Sequence, residues 1–419
     1  VSGLQVDVAI VGGGLVGAAL ALALSRLSPT FRQRRIVLIE ASDVQSGSLD
    51  STVYSPSFDS RATALADSSV DSFRRLGVWD AMARVAAPIT QVHVSEQGRW
   101  GATRLQAEEQ GRAAFGYVVL NSGIGQVLLQ EVAVERCITF MSPARVSSLQ
   151  PVPDGMQVCF DGGLAPLEAS LVILADGGRS PLMASLGLGV TRKPYGQVAI
   201  IANLEPSLAP QGRAWERFTR DGAMAVLPLC DHAGRSRVAL VWTLPAELAD
   251  TTLALSDGDF MAAVESRFGQ RLGPFRWVGQ RAAYPLELVI AKEQARPGLV
   301  LLGNAAHTLH PIAGQGFNLS LRDAMALATH LHTVQEGVAL GESAVLQQFV
   351  VRQKPDQLLT MLASDALISI FGSSSGLLRR IRQAGLISLE LLPGLREKIA
   401  TFGMGSSLQS AGTAQQSVK

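Results

Sequence analysis

Only three cysteines, Cys137, Cys159 and Cys230, occur among the 419 residues, an odd number with no CxxC spacing. That excludes a disulfide framework and a thiolate zinc site, and it fits a reducing cytoplasm. An excess of either charge is also missing, since 36 basic side chains balance 35 acidic ones for a formal net charge of +1. Without a basic surplus, or a Lys/Arg stripe interleaved with aromatics, the chain carries no electrostatic footprint for nucleic acid. Charged residues make up only 17% against 47% hydrophobic, a composition that builds a core and excludes disorder. At roughly 100–200 residues per domain, the length fits two or three domains.

Long uninterrupted apolar runs are scarce as well. Residues 6–24 come nearest, but they contain Asp7 and the glycines Gly12, Gly13, Gly14 and Gly17, and no basic leader precedes them. A buried strand, turn and helix fit this stretch better than a signal peptide or a spanning helix. Asp365 likewise interrupts residues 358–371, so no transmembrane segment is expected.

Residues 6–11 form a short continuous apolar run suited to a parallel strand covered on both faces. Residues 17–27 follow with helix-forming Ala and Leu, and Ile36–Ile39 ends in Glu40, completing one βαβ unit. Residues 60–76 read as a helix stopped by Gly77, 91–95 as a strand, and Asn121–Val134 as a helix. Residues 157–160 and 169–175 read as further strands. From Pro194 the texture changes: 198–204, 214–219, 223–229 and 237–243 are short, partly alternating segments separated by Gly, Asp and Pro. That pattern predicts an antiparallel sheet. Beyond Tyr284 and Pro285, an apolar strand at 299–302 leads to a Gly-containing turn at 314–316 and a helix to about Leu331. The expected division is therefore 1–193 and 285–345 for one discontinuous α/β domain, with 194–284 for the sheet domain. Residues 346–404 would supply C-terminal helices and 405–419 a disordered tail.

Gly12, Gly14 and Gly17 match G-x-G-x-x-G, and they lie between a strand and a helix. Gly12 permits the tight turn, Gly14 lets the backbone approach a pyrophosphate, and Gly17 allows close strand–helix packing. Glu40 closes the second strand, where a carboxylate can hold both ribose hydroxyls of an adenosine and would repel a 2′-phosphate. The fingerprint points to a dinucleotide and leaves NAD and FAD open. Two later segments, 171–180 with Asp176-Gly177-Gly178 and 299–307 with Gly303-Asn304, each place a polar turn after a buried strand. In a doubly wound sheet ligands sit outside the carboxyl ends of strands, so both turns can converge on one crevice. At 314–318, Gly314-Gln315-Gly316-Phe317-Asn318 begins a helix whose free N–H groups and dipole can bind negative charge.

This ordered trio, with Phe58-Asp59-Ser60-Arg61-Ala62, Gly212-Arg213-Ala214-Trp215-Glu216-Arg217-Phe218-Thr219 and the run from Gly303 to Leu319, resembles the single-component aromatic flavoprotein monooxygenases. These are the para-hydroxybenzoate hydroxylase-like flavoproteins, and the likeness is strongest to their ubiquinone-biosynthesis branch. It extends over residues 6–393. The resemblance implies an α/β fold in which a Rossmann-like FAD domain carries an antiparallel-sheet substrate domain and C-terminal helices. It also implies FAD as cofactor, NAD(P)H as a transient reductant, and O2 and a prenylated phenol as substrates, with hydroxyl transfer from a flavin C4a-hydroperoxide. Gly12, Gly14, Gly17 and Glu40 would hold the ADP half. Arg61 would lie near the pyrophosphate or flavin edge, and Gln126 would reach the cofactor from its helix. Asp176 and Gly177 would bridge the cofactor and the place where the nicotinamide visits. Gly303 and Asn304 would meet the ribityl chain, with Asn304 standing where the family usually has Asp and Val127 where it often has Arg. Gly314, Gly316, Phe317 and Asn318 would face the flavin's pyrimidine end.

No side chain is singled out as catalytic, because the flavin carries the chemistry; Arg61, Pro311 and Gly316 are the candidates nearest to it. A base near the ring is not identifiable from the sequence. His307 and His310 invite a metal reading, but no third ligand accompanies them, and core or loop histidines are expected instead. Trp215, Phe218, Trp242 and Tyr284 either line the substrate pocket or fill the second sheet's core. The sequon at Asn318-Leu319-Ser320 is read as incidental. Residues 386–395 offer either a lipid or partner contact, peripheral to a membrane or within a biosynthetic assembly, or a helix packed on the domain. A non-catalytic flavin-binding scaffold subunit is the alternative from outside enzymology.

Overall fold

The computed structural model describes residues 4–27, 29–44, 61–98, 102–178, 180–309 and 314–372. Pro311, His310, residues 58–60, segment 386–395 and the 405–419 tail lie outside the described residues.

The first sheet has eight strands, and its centre is parallel. Leu4–Val11 runs between Ile36–Ile39 and Leu167–Leu174, with Ile10 beside Leu38 on one side and Ile173 on the other. Leu299–Leu301 adds to Leu167–Leu174 and Ile138–Met141 to Ile36–Ile39, both in parallel. Strands buried on both faces need continuous apolar sequence, which is why these read as short Val/Ile/Leu runs. One face is covered by the helices Leu15–Leu27, Asn121–Val134 and Gln315–His332 around Leu20, Leu24, Leu128 and Leu321. The opposite face closes over Ala9, Val37 and Val172 with the hairpin Val146–Val152 and Gly155–Phe160.

The second sheet has nine strands. Its antiparallel body is Ala282–Ala291, Val190–Pro206, Arg235–Pro245, Ala223–His232 and Arg213–Phe218 in spatial order. It reaches beyond the expected 194–284 range. Gln91–Glu96 joins Arg213–Phe218 in parallel and brings Ala102–Gln106 with it. The helix Asp257–Phe268, which the strand-like texture of this region concealed, packs on the outer face against Trp215 and Trp242.

One expected element is overturned. Residues 60–76 do not form a single helix: Ala62–Ala66 is a strand paired antiparallel with Gly116–Leu120, and the helix begins at Asp67. Alanine is a strong helix former, but propensity is a small term that tertiary context overrides, and here two partners claim the backbone. Gly116–Leu120 supplies the ladder, while the side chain of Asn318 hydrogen-bonds to the backbone at Ala64 and Ala66.

The C-terminal helix Ser343–Gly372 is tied down by polar contacts, Arg322 with Asp356 at 2.8 Å and Lys193 with Asp365 at 2.8 Å. Among the described residues, no helix is long and apolar enough to cross a membrane.

Candidate active site

The first turn is built from glycines with separate jobs. Gly12 has φ 111°, and a Cβ there would stand 2.4 Å from the Ala175 carbonyl oxygen. A Cβ on Gly17 would stand 2.0 Å from the Gly12 oxygen, so both positions admit glycine only. Gly14 accepts the Ala18 N–H at 2.9 Å, which starts the helix and leaves the first-turn N–H groups without intrahelical partners. Gly13, a variable position in the fingerprint, proves to be as constrained. Its N–H donates to Glu40 Oε2 at 2.9 Å, and a Cβ would lie 2.8 Å from the Glu40 Cβ. Glu40 Oε1 accepts the Ser42 N–H at 2.8 Å. A carboxylate has about four acceptor positions, so Glu40 is oriented by two and has acceptor capacity left over.

Two further turns close on this one. Asp176 folds back on its own loop, accepting the Gly178 N–H at 2.9 Å and the Ser180 hydroxyl. Gly178, at φ 68°, presses on the next motif: a Cβ would lie 2.9 Å from the Asn304 carbonyl oxygen. Gly303, at φ 62°, lies over Val16, whose side chain would be 3.4 Å from an added Cβ. The three turns thus meet at the carboxyl ends of three neighbouring strands, and the Asn304 side chain is exposed there.

The helix Gln315–His332 brings a fourth turn. Gly314 is left-handed at φ 60° and backs onto Ala64, while a Cβ on Gly316 would meet nothing within 4 Å. The helix N-terminus therefore opens onto free space at Gly316. Asn318 is buried, and its amide is fully occupied: Oδ1 accepts from Ala66 N–H and Ser69 hydroxyl at 2.9 and 2.7 Å. Nδ2 donates to the Ala64 and Gly314 oxygens at 2.9 and 2.8 Å. Its side chain fixes the Gly314 turn instead of reaching for a ligand. Phe317 also turns inward, stacked on Phe73 with centroids 6.4 Å apart.

Arg61 lies over the Tyr284 ring at 4.9 Å, joining the first domain to the inner face of the second sheet. Gln126 is exposed on its helix, and no hydrogen bond among the described residues ties it to the four turns. Trp215 and Trp242 prove to be core residues under the outer helix, whereas Tyr284 belongs to the inner face. His307 is buried, with Nε2 2.7 Å from Asp323, whose same oxygen accepts Gln357 Nε2 at 2.9 Å. Among the described residues, no three His, Cys, Asp or Glu side chains converge as metal ligands.

Sequence reasoning missed Gly13, the clamp made by Asn318, and Asp323. The i+4 spacing of Gly314 and Asn318 was visible, but the remote partners of both Asn318 and Asp323 were not.

Residues 5–349 match a family model described as an FAD binding domain. The chain is 34% identical over 402 residues to the ubiquinone hydroxylase UbiL of Rhodospirillum rubrum, covering 96% of this chain and 90% of that protein. It is 30% identical to the 3-demethoxyubiquinol 3-hydroxylase of Escherichia coli, covering 95% and 98%. Among solved structures, the p-nitrophenol 4-monooxygenase PnpA of Pseudomonas putida superposes with a TM-score of 0.73 at 18% identity, covering 96% of this chain and 98% of that one.

Proposed function

Because the chain belongs to the FAD-dependent aromatic hydroxylases of the para-hydroxybenzoate hydroxylase type, in their ubiquinone-biosynthesis branch, we propose that its substrate is a polyprenylated phenol. Our reading is conversion of 2-polyprenyl-6-methoxyphenol to the corresponding 1,4-benzoquinol, with O2 and NAD(P)H consumed. The observation that carries it is the meeting of three turns through Gly178, Asn304, Gly303 and Val16, with Arg61 laid over Tyr284 of the second sheet.

FAD, when bound, supplies hydride acceptance and oxygen activation. The protein supplies position. Gly12, Gly14 and Gly17 would let the pyrophosphate reach the helix N-terminus, where unpaired N–H groups favour negative charge. Glu40, already oriented by Gly13 and Ser42, would take the ribose hydroxyls. Asn304 offers an amide, a donor and an acceptor, to the ribityl hydroxyls. The opening at Gly316 would place the dipole of Gln315–His332 at the end of the flavin that becomes negative on reduction. The chain has no second GxGxxG domain, so the reductant would visit transiently near Asp176 and Gly177.

The test begins with an absorbance spectrum of the purified protein. Anaerobic NADPH or NADH is then added with and without a short-tailed 2-prenyl-6-methoxyphenol, followed by air and product analysis. Flavin that bleaches faster with the phenol and recovers in air with a quinol formed is the expected result. Flavin that stays oxidised with every phenol overturns it and favours the scaffold reading. Gly17→Ala should be colourless at equal expression. A second ring position is favoured by the name of the Escherichia coli relative, and the NMR spectrum of the product decides between the two.

A further inference from the structure

The two faces of the second sheet differ. On the outer face Trp215, Met224, Leu240, Trp242 and Ile200 are all buried, closed under the helix Asp257–Phe268. On the inner face one register crosses the sheet through Val94, Glu216, Ala225, Val241, Ile201 and Ala282. Every one of these keeps accessible surface although it lies in the body of the sheet. The same face carries Tyr284, two residues along from Ala282, and so meets Arg61. It also carries Ala214 and Leu227, which share one apolar cluster with Ala62 and Ala64, and Ala64 backs the Gly314 turn. The row is thus the partly open part of the sheet face whose neighbouring residues cluster with the strand Ala62–Ala66.

Glu216 is the acidic side chain in this apolar row. It makes no hydrogen bond or ion pair with any described residue. An unpartnered carboxylate in apolar surroundings is costly to keep, and such groups concentrate at functional sites. Although part of its surface stays accessible, loss of water around it among apolar neighbours pushes its carboxyl up to about 7. Ionisable side chains on or near this face include Glu96 beside Phe218, Arg237 beside Leu229, Arg61 on Tyr284, and Tyr117, which packs on Trp79, whereas Arg213, Arg217, His93 and Arg104 alternate to the opposite face of the same strands. None of them contributes to that shift.

The geometry points to Glu216 as the base that accepts the proton of the substrate's phenolic hydroxyl, an assignment that rests on the hydroxylase reading above. The O–H bond breaks, its electron pair stays on the ring oxygen, and the proton joins a Glu216 oxygen, giving phenolate and a neutral carboxyl. The phenolate ring is the more electron-rich partner for oxygen transfer. The carboxyl returns the proton to solvent before the next cycle.

The experiment measures quinol formation from pH 5.5 to 8.5 with FAD-loaded wild type and Glu216→Gln. Each is given a short-tailed 2-prenyl-6-methoxyphenol and a fluorinated analogue that is already ionised at the assay pH. Quenching of flavin fluorescence by the phenol reports binding separately from turnover. Wild type should gain rate as pH rises through about 7. Glu216→Gln should bind the phenol, turn over roughly 10²-fold more slowly without that rise, and recover to within about threefold of wild type on the ionised analogue. An unchanged rate and profile in Glu216→Gln, or an equal loss on both phenols, overturns the assignment while the hydroxylase reading stands. Wild type that forms no product from any phenol it binds overturns that reading, and the assignment with it.

Discussion

His93 pairs with Arg104 across one strand and with Trp215 across the other, so Arg213 and Arg217 flank it on the same face. Burial first, and then Arg271, Arg104, Arg213 and Arg217, hold its imidazole down to about 4. A base whose folded pKa is depressed holds its proton less readily when folded. Between the unfolded value, about 6.5, and the folded one, the unfolded chain binds more protons, so stability is full above that window and falls as pH drops through it. The loss approaches about 3 kcal/mol by pH 4. His93→Gln should lose less stability than wild type between pH 7 and pH 4.5, as read by urea unfolding. Glu216 acts in the opposite direction over pH 4.5 to 7, but it is common to both proteins and cancels. At this scale the sequence was half legible. Gly12, Gly17 and Glu40 belong to a local motif whose chemistry dictates residue type, whereas His93 and Glu216 owe their settings to strands that pair across 122 residues.

Between elements, the polar ties gather on the helix Gln315–His332. Asn318 at its start holds the strand Ala62–Ala66, and Asp323 in its middle holds His307 and Gln357. The helix thus links the strand Ala62–Ala66, the segment at His307 and the C-terminal helix. Asp323→Ala would leave His307 Nε2 and Gln357 Nε2 buried without an acceptor. A loss of about 3 kcal/mol in unfolding free energy is expected. Asp323→Leu combined with His307→Phe should lose less, because the polar atoms go with their partners. An equal loss in both would show that packing, not the hydrogen bonds, governs the site. Residues 60–76 read from the sequence as one helix stopped by Gly77, but a clamp from 254 residues away and the partner Gly116–Leu120 make Ala62–Ala66 a strand.

Across the whole molecule, the second sheet draws on three separate stretches of chain, 91–106, 190–245 with 275–291, and 307–308. The continuous texture from Pro194 exposed its body, and the parallel edge supplied by Gln91–Glu96 was invisible because nothing local distinguishes a parallel partner. A fragment of residues 190–291 would leave the Arg213–Phe218 edge bare and the inner face uncovered. Expressed alone it should aggregate or show no cooperative melt, and co-expression with residues 4–178 should rescue soluble protein. A cooperative melt of the fragment alone would show that the sheet needs no help from the N-terminal stretch.

The junction of Gly178 with Asn304 sets a clock for biosynthesis. A chain growing from its N-terminus can form the first βαβ unit early, but the turn that meets Gly178 and Val16 comes only with Gly303 and Asn304. That turn is therefore the last of the three to emerge during synthesis, and the crevice proposed for FAD stays incomplete until it does. Protein made without FAD should hold the Gly178–Asn304 junction less tightly, so proteolysis in the 170–180 and 299–309 turns should be faster in the FAD-free protein than in the FAD-loaded one.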